Sequence, residues 1–192
     1  MTRSYTLGRR AEQQADTRQR IVEAALALHG EIGPAAATIS MLAERAGVQR
    51  HTVYAHFPDE RSLFLACSGL ALERNPPPDA TPWRGISDCV IRVRTGLCAV
   101  YAWYAGAADL TGCVLRDAES HPLTREMAEL RFGPSIASYH EVLGETLDAR
   151  QRAMLHLALG FPTWRALVRE SALTDAEAAE SMAQAIMVSA RQ

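Results

Sequence analysis

Residues 38 to 57, TISMLAERAGVQRHTVYAHF, constrain the fold more than any other part of the chain. Ile39, Leu42, Ala43 and Ala46 recur at i, i+3, i+4 and i+7, which places one apolar stripe on a helix of about two turns. Thr38 stands where it can cap that helix. Gly47 stands where the helix must stop, and glycine takes φ > 0 at the least cost, so the chain can reverse within about four residues. After the turn Val48, Val53 and Phe57 point inward, which leaves Arg50, His51, Thr52, Tyr54 and His56 on the outward face. Arg, His and Thr in the first turn of an exposed helix suit the DNA major groove. There Arg bonds both acceptors of a guanine edge and the Thr methyl meets a thymine methyl.

The rest of the chain reads as helix throughout, so the expected fold class is all-α. Residues 1 to 15 are polar and without periodicity, which predicts a flexible arm. Its arginines can stay solvated or follow a minor groove. A first helix is expected from Asp16 or Thr17, burying Ile21, Ala24, Ala25 and Leu28 and ending at Gly33-Pro34. A helix capped by Asp59 buries Leu63, Phe64 and Leu70 and ends before Asn75-Pro76-Pro77-Pro78. Consecutive prolines cannot propagate a helix, so they divide a unit over 16–74 from a second over 75–192.

In that second unit Ile86, Val90, Val93, Leu97, Val100 and Tyr104 follow steps of three and four, which predicts a long helix from Trp83 to about Ala107. A short helix or turn is expected over Asp109–Glu119, then a helix from about Leu123 to Leu147 interrupted at Gly133-Pro134. Another over about Ala149–Glu170 is expected to kink at Pro162, which cannot donate to the carbonyl of Ala158. Thr174-Asp175-Ala176-Glu177 has the spacing of a capping box for the last helix.

Composition bears mainly on what the chain is not expected to be. A net charge of −2 argues against a generally basic coat, and residues 1 to 66 hold 8 Arg against 7 acidic residues. All basic residues are Arg, which favours bidentate contacts with phosphate and guanine. No glycine-rich phosphate loop, nucleophile elbow or H-E-x-x-H is present, so no enzyme, cofactor or metal site is expected. Cys67, Cys89, Cys98 and Cys113 lack C-x-x-C or zinc-ligand spacing and read as small core residues in a reducing, cytoplasmic compartment. The longest uncharged stretch, Thr95 to Ala108, is too short to cross a bilayer, so no membrane partner is expected.

The stretch TISMLAERAGVQRHTVYAHFPDERSLF resembles the N-terminal signature of the TetR family of bacterial transcriptional repressors, and the resemblance runs back to about Thr17. FPTWRALVRESALTDAEAAESMAQAI is similar to the last two helices of many members. The resemblance implies an N-terminal three-helix helix-turn-helix domain joined through a fourth helix to a larger helical domain that dimerises and binds an inducer. It implies phosphate contacts at Tyr54, His56, Thr38 and Thr17, beside base-reading candidates Arg50, His51 and Thr52. Two positions depart from the pattern. Gln49 replaces the usual Ser or Thr before the recognition helix, and Glu60 replaces the usual Lys at the start of the fourth helix, so one phosphate anchor is either missing or taken over by Arg61.

Tyr101, Trp103 and Tyr104 fall on different sides of one helix, so they cannot all fill one core layer. Each can pack as plain core; with Phe132, Ile136 and Tyr139 they can also enclose an apolar ligand pocket. The small residues of the last two helices, Ala183 among them, suggest a homodimer face. The expectation is a homodimeric repressor on a palindromic operator, released by a small-molecule inducer. The alternatives are a constitutive DNA-binding regulator and a redox or metal sensor.

Overall fold

The computed structural model describes residues 2 to 190, with side chains from Arg9 onward, and every regular element among them is helical. The chain divides into two compact units. One runs to Arg74 and includes Cys113–Ala128; the other holds Asn75–Gly112 and continues from Glu129. The expected division was 16–74 against 75–192; in the structure sixteen later residues, Cys113–Ala128, belong to the first unit.

The first unit contains α1 (Thr2–Glu31), α2 (Ile39–Ala46), α3 (Arg50–His56) and α4 (Glu60–Arg74), with parts of α6 (Ala108–Ala118) and α7 (Pro122–Leu143). Residues 1 to 15 were expected to form a flexible arm; instead α1 is helical from Thr2. Once Asp16–Glu31 is helical, adding turns at its N-terminus needs no new nucleus, and the preceding Ala, Arg, Gln and Glu residues propagate a helix readily. Ile21, Ala24, Ala25 and Leu28 are buried as their spacing requires. They meet Leu42, Ala43, Ala46, Val53, Phe57 and Leu63 in one cluster, with Ile39 and Val48 packed at its edge.

Burial also decides a titration in this unit. His29 is 4% exposed, its Nδ1 lies 3.6 Å from the Cys67 thiol, and its ring packs 4.9 Å from Phe64. Desolvation pushes its pKa down to about 4, against the opposing charge of Asp117. The folded value thus lies below the ordinary 6.5, so this residue's share of stability is complete above 6.5 and drains away as pH falls from there towards 4. The expected loss is on the order of 3 kcal/mol. Urea unfolding between pH 7.5 and pH 4 should show it, and His29→Gln should flatten that part of the profile; an unchanged slope in the variant would assign the acid sensitivity to other groups.

In the second unit a 3₁₀ turn (Thr81–Gly85) precedes α5 (Cys89–Gly106), followed by α8 (Ala149–Leu159), α9 (Phe161–Trp164), a π-helical stretch (Arg165–Glu170) and α10 (Asp175–Val188). α5 starts later than its apolar steps suggest because Asp88 caps it, accepting from the Ile91 N–H, which leaves Trp83 in the separate turn. α7 continues through Gly133-Pro134, where an interruption was expected. Leu130, whose carbonyl loses its donor to Pro134, is exposed at 49%, so water can replace that bond.

The break expected at Pro162 occurs two residues earlier. Gly160 ends α8 in an extended conformation, and Pro162 sits in the first turn of α9, where a missing N–H costs little. The last carbonyls of α8 find donors on α5: Tyr101 Oη donates to Ala158 O at 2.9 Å and Tyr104 Oη to Leu159 O at 2.6 Å. α10 opens with the expected capping box between Thr174 and Glu177 and packs along α5. Its small residues are spent there: Ala178, Ala179 and Ala183 are buried within the chain, as is the larger Ile186. Ala183 was expected on a dimer face and is instead core.

Candidate DNA-binding site

The turn between α2 and α3 is built from its backbone bonds. Gly47 adopts φ 65° and ψ 39°, its N–H reaches Glu44 O, and Val48 N–H reaches Ala43 O at 2.9 Å. These two bonds satisfy the carbonyls that the end of α2 would otherwise leave open, and Val48 closes the turn against the core. Thr38 caps the other end, accepting from Met41 N–H. Arg20 of α1 donates to Ala46 O at 3.0 Å and so ties α1 to the last carbonyl before the turn. No local spacing signals this role, because the two residues meet only in the folded unit.

α3 is held by Val53, fully buried, and by Phe57, on whose ring Arg18 rests at 4.7 Å. With those two inward, Arg50 and His51 are exposed, Thr52 and His56 are half-buried, and Tyr54 is 48% exposed. Gln49 occupies the N-cap position and makes no side-chain cap bond, as its length predicts. A cleft of about 340 Å³ lies between α2, α3 and α4, with Thr38 and Tyr54 on its wall together with Asp59 and Glu60. Asp59 caps α4 through Ser62 N–H at 2.7 Å, which holds its carboxyl below the usual range. The site thus offers hydroxyl donors to a phosphate and carries two carboxylates beside them.

Two expected contacts sit differently from their sequence reading. Thr17 lies well inside α1, so it lacks the helix-terminus charge assumed for it; its Oγ1 accepts from Arg20 Nη2 at 3.4 Å. Arg61 is engaged by Glu126 of α7, with Nη2 2.7 Å and Nε 2.9 Å from Oε1. Both side chains are about half exposed, and such surface pairs contribute little, so phosphate can compete for this arginine.

The second-unit aromatics form more than one group. Trp103 packs at a tilt against Tyr104 and meets Phe132 edge-on at 5.6 Å, while Tyr104 continues to Phe161 and Trp164. Tyr139 is fully buried against Trp83 and donates to Pro78 O at 2.8 Å. Trp103 Nε1 donates to Asn75 O, and burial pushes the phenols of Tyr101, Tyr104 and Tyr139 up, so they remain donors at neutral pH. Phe132 and Ile136 are half-buried. His140 and His156 stack, with ring nitrogens 3.4 Å apart, but the described residues include no cluster of three or more metal-ligating side chains. The four cysteines are reduced thiols, and no helix among the described residues is long and apolar enough to cross a membrane.

A helix-turn-helix whose second helix turns Arg, His and Thr outward, in a chain otherwise all helical, has the architecture of a DNA-binding unit. Residues 21–67 match the family model of bacterial regulatory proteins of the tetR family. Over 59 residues the chain is 37% identical to the HTH-type transcriptional regulator AcrR of Shigella flexneri, covering 30% of this chain and 27% of that protein. The segment over residues 21–67 is thus similar to the DNA-binding unit of tetR-family regulatory proteins.

Likeness to solved structures extends over the whole fold. A Clostridium perfringens protein assigned to the regulation of fatty acid metabolism superposes with a TM-score of 0.66 at 15% identity, covering 90% of this chain and 99% of that one. A Mesorhizobium loti protein assigned to the TetR family gives 0.63 at 17%, covering 91% and 96%. The multidrug binding protein EbrR, in complex with imidazole, gives 0.58 at 18%, covering 88% of each chain. The matched segment is about a quarter of the length of the curated relative, so the shared sequence concerns the DNA-binding unit.

Proposed function

We propose that this chain is a transcriptional repressor of the TetR family that binds a palindromic operator as a homodimer and leaves it when a small-molecule inducer binds its second unit. The observation that carries the reading is α3: burial of Val53 and Phe57 turns Arg50, His51 and Thr52 outward, and the reading assigns these three to base edges and Tyr54, His56 and Thr38 to phosphates. Gln49, Thr17 and Arg61 complete the proposed contact set. A recognition helix of seven residues reads few base pairs, so useful specificity calls for two copies on half-sites roughly 34 to 36 Å apart. Selection from randomised duplexes with the full chain should enrich an inverted repeat with that spacing. Enrichment of a single unrepeated motif would argue against the dimeric reading.

The dimer face follows from what α8 and α10 leave outside. Leu157 is 53% and Val188 84% exposed, although each belongs to a helix whose other face is buried. A second copy that covers them removes this apolar surface from water. Leu157→Arg combined with Val188→Arg is expected to yield monomers in analytical ultracentrifugation, because two like charges would have to be desolvated against their symmetry mates. An intact dimer would place the interface elsewhere.

The inducer is proposed to bind in the aromatic layer of Trp103, Tyr104, Phe132 and Ile136, flanked by Tyr101 and Tyr139, with the half-buried Phe132 and Ile136 on the open side. EbrR, which shares the fold, holds imidazole. Near-complete release requires the inducer to favour the non-binding form by about 5.5 kcal/mol. One observation favours a second reading, a constitutive regulator with a filled core: the hydroxyls of all three tyrosines and the Trp103 indole already bond backbone carbonyls. A ligand would have to offer those carbonyls or donors equivalent partners.

A further inference from the structure

The connection between α1 and α2, Ile32 to Ala37, has few bonds of its own. Ile32 N–H reaches back to Leu28 O, and Ala37 N–H to Pro34 O at 3.3 Å. The remaining fixed points come from the far end of α6, which belongs to the same compact unit. Asp117 Oδ2 accepts from Ala35 N–H at 2.9 Å, Asp117 Oδ1 accepts from Arg116 Nε at 2.8 Å, and Arg116 Nη2 donates to Ile32 O at 2.9 Å. One residue pair thereby holds the connection at both ends of its first turn. Cys113, one helical turn earlier, donates to Gly30 O at 3.5 Å.

Gly33 lies between those anchors with φ 97°, in the region that favours glycine, and any Cβ there would collide with Arg116 Nη2 and Asp117 Oδ2. The backbone and the α6 pair are therefore fitted to one another. The Asp117 side chain is 9% exposed. Burial alone would raise its pKa, but the bonds from Arg116 and Ala35, with the charges of Arg116 and His121, hold it below the usual carboxylate range. The carboxylate is thus ionised at neutral pH, and it accepts from the loop as a charged group.

The connection leads directly into Thr38, the cap of α2, and α2 packs on both α1 and α3. We infer that Asp117, with Arg116, is a positioning residue for DNA binding: it fixes the α1–α2 connection and hence the placement of Thr38 and α2 behind the recognition helix. The inference rests on the proposed reading of Thr38 and α3 as the DNA-facing elements. Sequence-specific docking needs phosphate and base contacts in register, whereas non-specific binding depends chiefly on charge. Loosening the connection should therefore weaken specific binding more than non-specific binding.

The test uses the full-length protein, with wild type, Asp117→Ala, Arg116→Gln and Gly33→Ala titrated against the selected operator and against a random duplex, and with amide exchange followed at Ala35. Asp117→Ala should speed exchange at Ala35 and lower operator affinity by roughly three- to tenfold, the range for ordering a short segment on binding. Random-duplex affinity should hold, so the specificity ratio falls. Gly33→Ala should reproduce this from the other side of the contact. Arg116→Gln, at an exposed side chain, should give a smaller loss in the same direction and carries the test if Asp117→Ala fails to fold. A merely structural role would reduce the active fraction for both duplexes equally; a constant specificity ratio, or fast exchange at Ala35 with unchanged operator affinity, would overturn the inference. Wild type that selects no sequence at all would instead overturn the reading of α3.

Discussion

Arg50→Ala is expected to weaken the operator complex by about 1 to 3 kcal/mol at each half-site, and so by roughly twice that for a dimer. Arg50 is exposed at the first position of α3, and among the described residues no partner competes for it in the way Glu126 competes for Arg61. Specificity should relax at one base position per half-site, while binding to random duplex changes little. Tyr54→Phe, which removes a hydroxyl proposed to meet phosphate, should instead weaken all sequences alike. Operator titrations with single-base variants separate the two behaviours. An Arg50→Ala protein that binds as tightly and as selectively as wild type would remove this residue from base reading.

Trp103→Ala is expected to destabilise the second unit by about 3 to 5 kcal/mol, as a large-to-small change in a packed layer does. Trp103 is 8% exposed, its indole N–H donates to Asn75 O, and Asn75 Nδ2 returns a bond to Trp103 O, each at 3.0 Å. The substitution removes the ring that Tyr104 and Phe132 pack against and leaves the Asn75 carbonyl without its donor. For a chain of this length the melting temperature should fall by roughly 6 to 20 °C. Operator affinity of the protein that remains folded should hold, because α3 is untouched. A melting temperature within a couple of degrees of wild type would mean that the ring lines open space, and would favour the inducer pocket over the filled core.

The helix-turn-helix was legible because all its determinants are local. The i, i+3, i+4, i+7 stripe of α2, the glycine at its end and the inward Val53 and Phe57 lie within twenty consecutive residues, and each was found in its expected place. The capping box of α10 and the Asp59 cap of α4 were readable for the same reason: a cap is set by residues three apart. Periodicity located α5 but not its start, since the Asp88 cap outranks an apolar step that reaches back to Trp83. The proline readings were weaker. A missing N–H states which carbonyl is freed but not what answers it; water can do so at Leu130, whereas at Ala158 it is the hydroxyl of Tyr101, 57 residues away in the chain.

That last pairing marks the limit of the sequence for the second unit. Tyr101, Trp103 and Tyr104 were visible as aromatics on several sides of one helix, but whether they line space or fill it depends on neighbours contributed by α7, α8 and α9. Ala183 reads equally well as a surface between chains or within one, because a small residue permits close approach by any helix; packing against α5 decided it. The pair Arg116–Asp117 carries no local signal at all, since its partners Ile32 and Ala35 lie more than eighty residues earlier. Local order along the chain is enough for the elements whose causes repeat within a helical turn or two: the recognition helix, its turn and the caps. Tertiary structure alone decided which faces are spent inside the chain and which polar groups meet across it, because those outcomes depend on burial, and burial is a property of the assembled fold.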